Sequence, residues 1–343
     1  MKKKVLVTGG TGFIGSHTVV ELIENGYETI LIDNLHNSEA VVAQRIGDIT
    51  GVVPQLEIID MRDKAAMGKF FAMQGSSIDA VIHFAAFKYV GESARKPLDY
   101  YYNNLVSLLN LLEETRKYGI KSLVFSSSCT VYGQPDKLPV SEVSRLKPAM
   151  SPYGRTKKIC EDILADTVEA VKELKIVSLR CFNPIGAHPS ALIGELPRGI
   201  PENLVPFITQ TACRTREELK VYGDDYDTPD GSCIRDYIHV VDLAKAHVSA
   251  LHRLVNNKNK TNFEVFNIGT GKGVSVFEAI ESFQRVSGVK LKYRITGRRS
   301  GDIEKIWADT SLANSELGWK AESTVDDAMK TAWEWEKSLR GGK

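Results

Sequence analysis

The chain has 343 residues, 43% of them hydrophobic and 25% charged, with a formal net charge of +1. That length suits one large α/β domain with a smaller lobe, and the near-zero charge gives no pull toward nucleic acid or an anionic membrane. No window approaches the ~18 apolar residues that span a bilayer. The opening MKKKVLVT reads as a solvated end, too short for a signal-peptide core. Five scattered cysteines without a CxxC pair, and seven histidines without HExxH, point to reduced thiols in the cytoplasm and to no metal.

The first element is a strand, KVLVT, and TGGTGFIG follows it, with Gly9, Gly12 and Gly15 spaced by three ahead of a helix over 13–25. Glycines there permit a tight turn and a close backbone approach to a pyrophosphate, whose charge meets the helix N-terminus. The next strand, ETILID, ends on Asp33, a carboxylate able to accept from both adenosine ribose hydroxyls and to repel a 2′-phosphate. No arginine adjoins it, so NAD is favoured over NADP. Further strands are expected at LEIID, DAVIHFA and IKSLVFSS, with a helix over 98–118. Near-continuous apolar strands between helices require a parallel sheet covered on both faces, a doubly wound α/β fold of Rossmann type.

A helix then begins at Ser151 and Pro152, an N-cap and first-turn pair. Its apolar stripe runs back from Val171 through Val168, Leu164 and Cys160 to Lys157 and Tyr153, so an ammonium group lies on the inward face. YxxxK alone is a weak signal, but here it follows a serine-rich strand end, FSSSCTVYG. A free phenol titrates near 10. A neighbouring ammonium and a cationic nicotinamide would both lower that value and let Tyr153 act as a base. Ser128, or a neighbour in its run, can donate to the same substrate oxygen. The competing reading is a lysine whose stem packs while its head reaches solvent.

After the strand KIVSLRCF the rhythm fails in NPIGAHPSALIGELPRGIPENLVP, a Pro- and Gly-rich entry to a smaller lobe. Residues 1–183 are therefore expected to form the dinucleotide-binding domain. Residues 184–343 should be mainly a substrate lobe, with the chain returning to the first domain around 234–262.

The runs TGGTGFIG, HFAAFKYVGES, SSSCTVYG, SPYGRTK, RCFNPIGAH, IRDYIHVVDLA and GRRSGDI resemble the extended short-chain dehydrogenase/reductase family, and their combination resembles its epimerase branch. The resemblance implies reversible epimerisation of UDP-galactose and UDP-glucose at C4, through a transient 4-keto sugar and hydride held on bound NAD. It also implies a homodimer, with the helices at 98–118 and 152–172 as interface elements, the alternative being that their apolar faces are intramolecular core. Carried onto this sequence, Tyr153 is the base, Lys157 its tuner and Ser128 the hydroxyl donor, with Thr130 adjoining. NAD would meet Gly9, Gly12, Phe13, Ile14, Gly15, Asp33, Asn34, Asn37, Ser38, Asp60, Met61, Phe84, Ala85, Lys88 and Asn103, besides Tyr153 and Lys157. The UDP-sugar would meet Lys88, Ser128, Tyr153, Phe182, Asn183, Asn203, Leu204, Lys220, Tyr222, Arg235, Arg299, Asp302 and Ile306. Charge logic agrees, because a diphosphate in a cleft needs fixed cations.

Three positions depart from the commonest family pattern: Cys129 for alanine, Tyr89 for a small residue, and Ile306 at the position lining the sugar pocket. An intermediate side chain at 306 leaves UDP-N-acetylhexosamines open as substrates. A dehydratase or decarboxylase of this fold would need a carboxylate beside the catalytic hydroxyl, and SSSCTVYG offers none. A one-way sugar dehydrogenase would need NAD to exchange freely. A non-catalytic sensor on this fold would ordinarily have lost Tyr153 or Lys157.

Overall fold

Short apolar runs form β1 (Lys4–Thr8), β2 (Glu28–Asp33), β3 (Gln55–Ile58), β4 (Ala80–His83), β5 (Ser122–Ser128) and β6 (Lys175–Cys181). The computed structural model describes residues 2–299 and 302–341; Met1 of the opening run and Ser300 and Gly301 of GRRSGDI lie outside the described residues. The smaller lobe and its connections contribute β7 (Asn183–Ile185), β8 (Leu219–Tyr222), β9 (Ile234–Arg235), β10 (Tyr237–His239), β11 (Phe263–Ile268), β12 (Val274–Ser275), β13 (Tyr293–Thr296) and β14 (Lys305–Ile306). The helices are α1 (Phe13–Glu24), α2 (Val41–Thr50), α3 (Lys64–Gln74), α4 (Val90–Arg95), α5 (Pro97–Lys117), α6 (Pro152–Ala170), α7 (Leu204–Ala212), α8 (Val240–Val255), α9 (Val276–Ser287), α10 (Ser311–Glu316) and α11 (Val325–Leu339).

Seven strands pair in the order β11–β6–β5–β4–β1–β2–β3, and each pairing is parallel. The seventh strand comes from residues 263–268, beyond the 234–262 stretch expected to return to this domain. Helices α1, α2 and α8 bury one face of the sheet around Val5, Val7 and Leu251. Helices α3, α5 and α6 bury the other around Leu6, Phe125 and Leu164. A sheet covered on both sides explains why every residue of β5 is buried and why its strands alternate so little. A third core, around Ile208, Ile280, Phe283 and Met329, holds the smaller lobe together.

The sheet winds outward in two directions from β1, toward β2 on one side and β4 on the other. Loops leaving the carboxyl ends of β1 and β4 therefore diverge and open a crevice, the usual ligand site of such sheets. Among the described residues no helix is long and apolar enough to cross a membrane.

Candidate active site

A cleft of about 680 Å³ opens at that switch point, walled by the turn after β1, the ends of β2, β4 and β5, the start of α6, and the 193–203 segment. Gly9 has φ +70, and a Cβ on it would lie 2.8 Å from the Ala85 nitrogen. A Cβ on Gly15 would lie 2.2 Å from the Gly9 carbonyl. Only glycine lets the turn seat against β4 and the helix seat against the turn. Helix α1 has Gly12 at its N-cap, no capping side chain and no acidic residue in its first turn. Its first N–H groups and positive dipole end are thus free for an anion in the cleft, the environment a pyrophosphate needs.

Asp33 organises its own loop. Its carboxylate accepts from Thr11 N (3.2 Å), Leu35 N (2.9 Å) and Ser38 Oγ (3.0 Å). Oδ1 takes two of these bonds, which leaves Oδ2 as the oxygen with capacity for a ribose. Ser38 in turn accepts from Thr11 Oγ1 at 2.8 Å. Asp60 is committed to Arg62, whose guanidinium holds its carboxyl down to about 2. Asn34 reaches Asp60 at 3.5 Å, and Asn37 donates to the Tyr89 hydroxyl at 3.4 Å. Phe13, Ile14, Met61, Phe84, Ala85, Lys88 and Asn103 all face the same cleft.

At the other end the catalytic candidates converge. Ser151 caps α6 by accepting from Gly154 N at 3.1 Å, with Pro152 in the first turn. Lys157 is 5% exposed. Its Nζ donates to the Ser126 carbonyl at 2.7 Å and sits 4.7 Å from the Phe125 ring centroid. The ammonium is therefore inside the fold, on the wall of the cleft and not on the outer surface. Thr130 donates twice to Ser128 Oγ, from its nitrogen (3.3 Å) and its hydroxyl (3.0 Å). With both contacts arriving as donors, the Ser128 proton is left to point elsewhere. Ser128, Thr130, Tyr153 and Lys157 line one wall.

Burial pushes the Tyr153 phenol above its ordinary value, with only the Ser128 hydroxyl listening in the opposite direction. Burial also lowers the Lys157 ammonium. The protein's own groups do not make the phenol acidic, because desolvation of the phenolate outweighs them.

Of the residues expected at the UDP-sugar, Phe182, Asn183 and Asn203 lie on the cleft wall beside Ser128 and Tyr153. The Asn183 Oδ1 is buried without a hydrogen-bond partner among the described residues, an acceptor that a ligand donor would satisfy. Tyr222, Arg235, Arg299 and Asp302 form a second group. The Arg299 guanidinium pairs with Asp302 at 2.7 Å and lies 5.5 Å from the Tyr222 ring, while Arg235 stands 3.9 Å from Asp302. Lys220 is exposed on the same face of β8 as Tyr222. None of these five lines the cleft itself, and neither do two further expected positions. Leu204, the first residue of α7, packs into the core of the smaller lobe. Ile306 is 1% exposed and buried in a cluster with Cys129, Val131, Tyr132, Val140, Phe182 and Ala308. It stands behind the pocket, and Phe182 and Cys129 of that cluster are the side chains facing the cleft.

Several wall and support residues escaped the sequence reading. Glu161 accepts from Ser127 (2.7 Å), Ser178 (3.0 Å) and Arg180 (2.8 Å), tying α6 to β5 and β6. Glu161 lies four residues after Lys157 on the inward stripe, so the same counting could have found it. Asn104 donates to Thr156 Oγ1 (2.9 Å) and to the Phe87 carbonyl (3.1 Å), fixing α6 to the loop after β4. Glu195, Arg198 and Glu202 also wall the cleft, in a segment with no periodicity to read.

The family model described as NAD dependent epimerase/dehydratase matches residues 5–269. The UDP-glucose 4-epimerase of Bos taurus is 47% identical over 100% of this chain and 99% of its own length. The crystal structure of UDP-glucose 4-epimerase from Bifidobacterium longum in complex with NAD+ and UDP superposes with a TM-score of 0.94 at 47% identity, covering 99% of this chain and 100% of that one. The UDP-Glc/GlcNAc 4-epimerase from Campylobacter jejuni gives a TM-score of 0.83 at 36% identity, covering 98% of this chain and 99% of that one. With the cleft, the glycine turn and the Tyr153–Lys157 helix in place, these likenesses over the full length show that the chain belongs to the NAD dependent epimerase/dehydratase family.

Proposed function

We propose that this chain is an isomerase that interconverts UDP-galactose and UDP-glucose at C4, with NAD as its cofactor. The observation that carries the reading is the meeting of Ser128, Tyr153 and Lys157 in the same cleft as the uncapped start of α1. The α1 N-terminus and Asp33 would hold the pyrophosphate and the adenosine ribose. When bound, NAD supplies a hydride acceptor that can return what it takes.

Tyr153 is the base that removes the sugar 4-OH proton and later restores it. Its raised pKa means that it ionises readily only where a positive charge accompanies it in the cleft, which couples base strength to the oxidised cofactor. Lys157 spends one donor on the Ser126 carbonyl and keeps two others for the phenolate and a ribose hydroxyl. Ser128 donates to the sugar oxygen while charge develops on it. Arg235, Arg299 and Asp302 hold the UDP half. Gripping the part that does not react lets the hexose turn over without leaving. Elimination chemistry lacks its additional proton carrier here, because Cys129 and Thr130 follow Ser128 where a carboxylate would be needed.

The test is turnover of UDP-galactose by purified protein with no NAD added, beside a Tyr153→Phe variant. Turnover by the wild type, with a loss of about 10²–10⁴-fold in kcat for the variant, is expected. Equal rates would remove Tyr153 from the chemistry. UDP-N-acetylhexosamines are included as substrates, since residue 306 is an isoleucine of intermediate size that only backs the wall. Absence of UDP-N-acetylglucosamine turnover in a coupled assay would end that part.

The same reading includes a homodimer in the cytoplasm. Leu98, Tyr102 and Leu109 form one stripe along α5 and are 80%, 59% and 45% exposed, an apolar face suited to a second copy. Sedimentation should give a dimer that Leu98→Glu dissociates, and a monomeric wild type would refute it. The cysteines of the structure are all free thiols, as a reducing compartment requires, and cell fractionation checks this.

A further inference from the structure

Between Glu195 and Asn203 the chain forms neither helix nor strand before α7 begins, yet it is tied down on both sides. Behind it, Trp335 of α11 donates from Nε1 to the Glu195 carbonyl at 2.9 Å, and Arg216 donates to the Gly199 carbonyl at 3.2 Å. In front of it stand the two loops that wall the dinucleotide end of the cleft. Arg198 donates to the main-chain carbonyls of His36 (3.3 Å) and Ser38, in the loop that follows Asp33. Glu202 accepts from Gly91 N (3.1 Å) and Glu92 N (3.3 Å), and pairs with Arg95 at 2.9 Å, in the segment that follows β4. A Cβ on residue 91 would lie 2.9 Å from Glu202 Oε2, so glycine there admits the carboxylate. Glu195 adds a contact to Lys88 at 2.9 Å.

The segment thus runs across the cleft from one loop to the other. We propose that residues 195–203 are a strap that retains the dinucleotide, with Arg198 and Glu202 as positioning residues that latch it to the 36–38 and 91–95 loops. The proposal rests on the NAD reading given above. Each latch is partly exposed and individually modest. Their effect is kinetic, because a dinucleotide seated between the Asp33 loop and the strap leaves only when the strap lifts. Retention serves the chemistry directly, since a hydride taken from the sugar must be given back to the same sugar.

The experiment measures exchange of bound NAD against radiolabelled NAD in the full-length protein, for the wild type, Arg198→Met and Glu202→Gln. Each variant is expected to exchange roughly tenfold faster, the size of one lost charge-assisted hydrogen bond. Activity should fall after desalting and return when NAD is added. Exchange at the wild-type rate in both variants would overturn the strap, as would an activity loss that added NAD does not repair. A wild type that binds no NAD at any concentration would sink the cofactor reading itself, a result distinct from either of those.

Discussion

Two groups of candidate residues are built on opposite terms. At the catalytic end the key groups are buried and fixed by the sheet. Lys157 rests on a strand carbonyl, and the Glu161–Arg180 pair beneath it is only 4% and 6% exposed. In the group expected at the UDP-sugar the side chains lie nearer to solvent, with Arg299 42% exposed and its partner Asp302 11% exposed. The difference teaches where rigidity matters. The proposed proton transfer would tolerate little displacement of the phenol, whereas a flexible diphosphate would be gripped well enough by charges that adjust.

The sharpest way to break this contrast is to remove the pin at the catalytic end. Glu161→Ala strands a buried guanidinium and should cost about 3–5 kcal/mol in chemical denaturation. A loss below about 1 kcal/mol would mean that the pair does not hold α6 to β5 and β6. Acid should act next, on other buried groups. Burial lowers His17 and His83 from 6.5 to about 3 and His247 to about 4, so all three are neutral in the folded chain. A lowered histidine binds its proton more readily when unfolded. Stability is therefore complete above pH 6.5 and drains away as pH falls toward the folded values. Between pH 6.5 and 5.5 the three together should remove about 3 kcal/mol, visible as a falling melting temperature; a flat profile would contradict their neutral burial. The smallest effect belongs to the recognition end. Arg235→Met should raise KM for UDP-glucose about 10- to 100-fold while kcat changes little. A fall in kcat with KM unchanged would place Arg235 in the chemistry instead.

Much of the cleft was legible because its signals are local and periodic. A glycine turn between strand and helix, a carboxylate closing the second strand, and a tyrosine and lysine on one helical stripe each announce a backbone geometry. The depth at which the Tyr153 phenol is buried was not legible, since burial is a property of the assembled chain. Ile306 illustrates the same limit. Its place next to Arg235 follows from the pairing of β14 with β9, and its burial behind Phe182 follows from packing that no spacing encodes. The strap could not be read at all, because its latches reach residues more than a hundred positions away through an aperiodic segment.

The placement of β11 beside β6 has a consequence for synthesis. As the chain leaves the ribosome, β1 through β6 can pair as they appear, but the outer edge of β6 finds its partner only once residues 263–268 have emerged. Until then a strand whose last six residues are buried in the finished fold stands open to any passing strand. A nascent or truncated chain ending before that point should be the species most prone to clump and most in need of a chaperone.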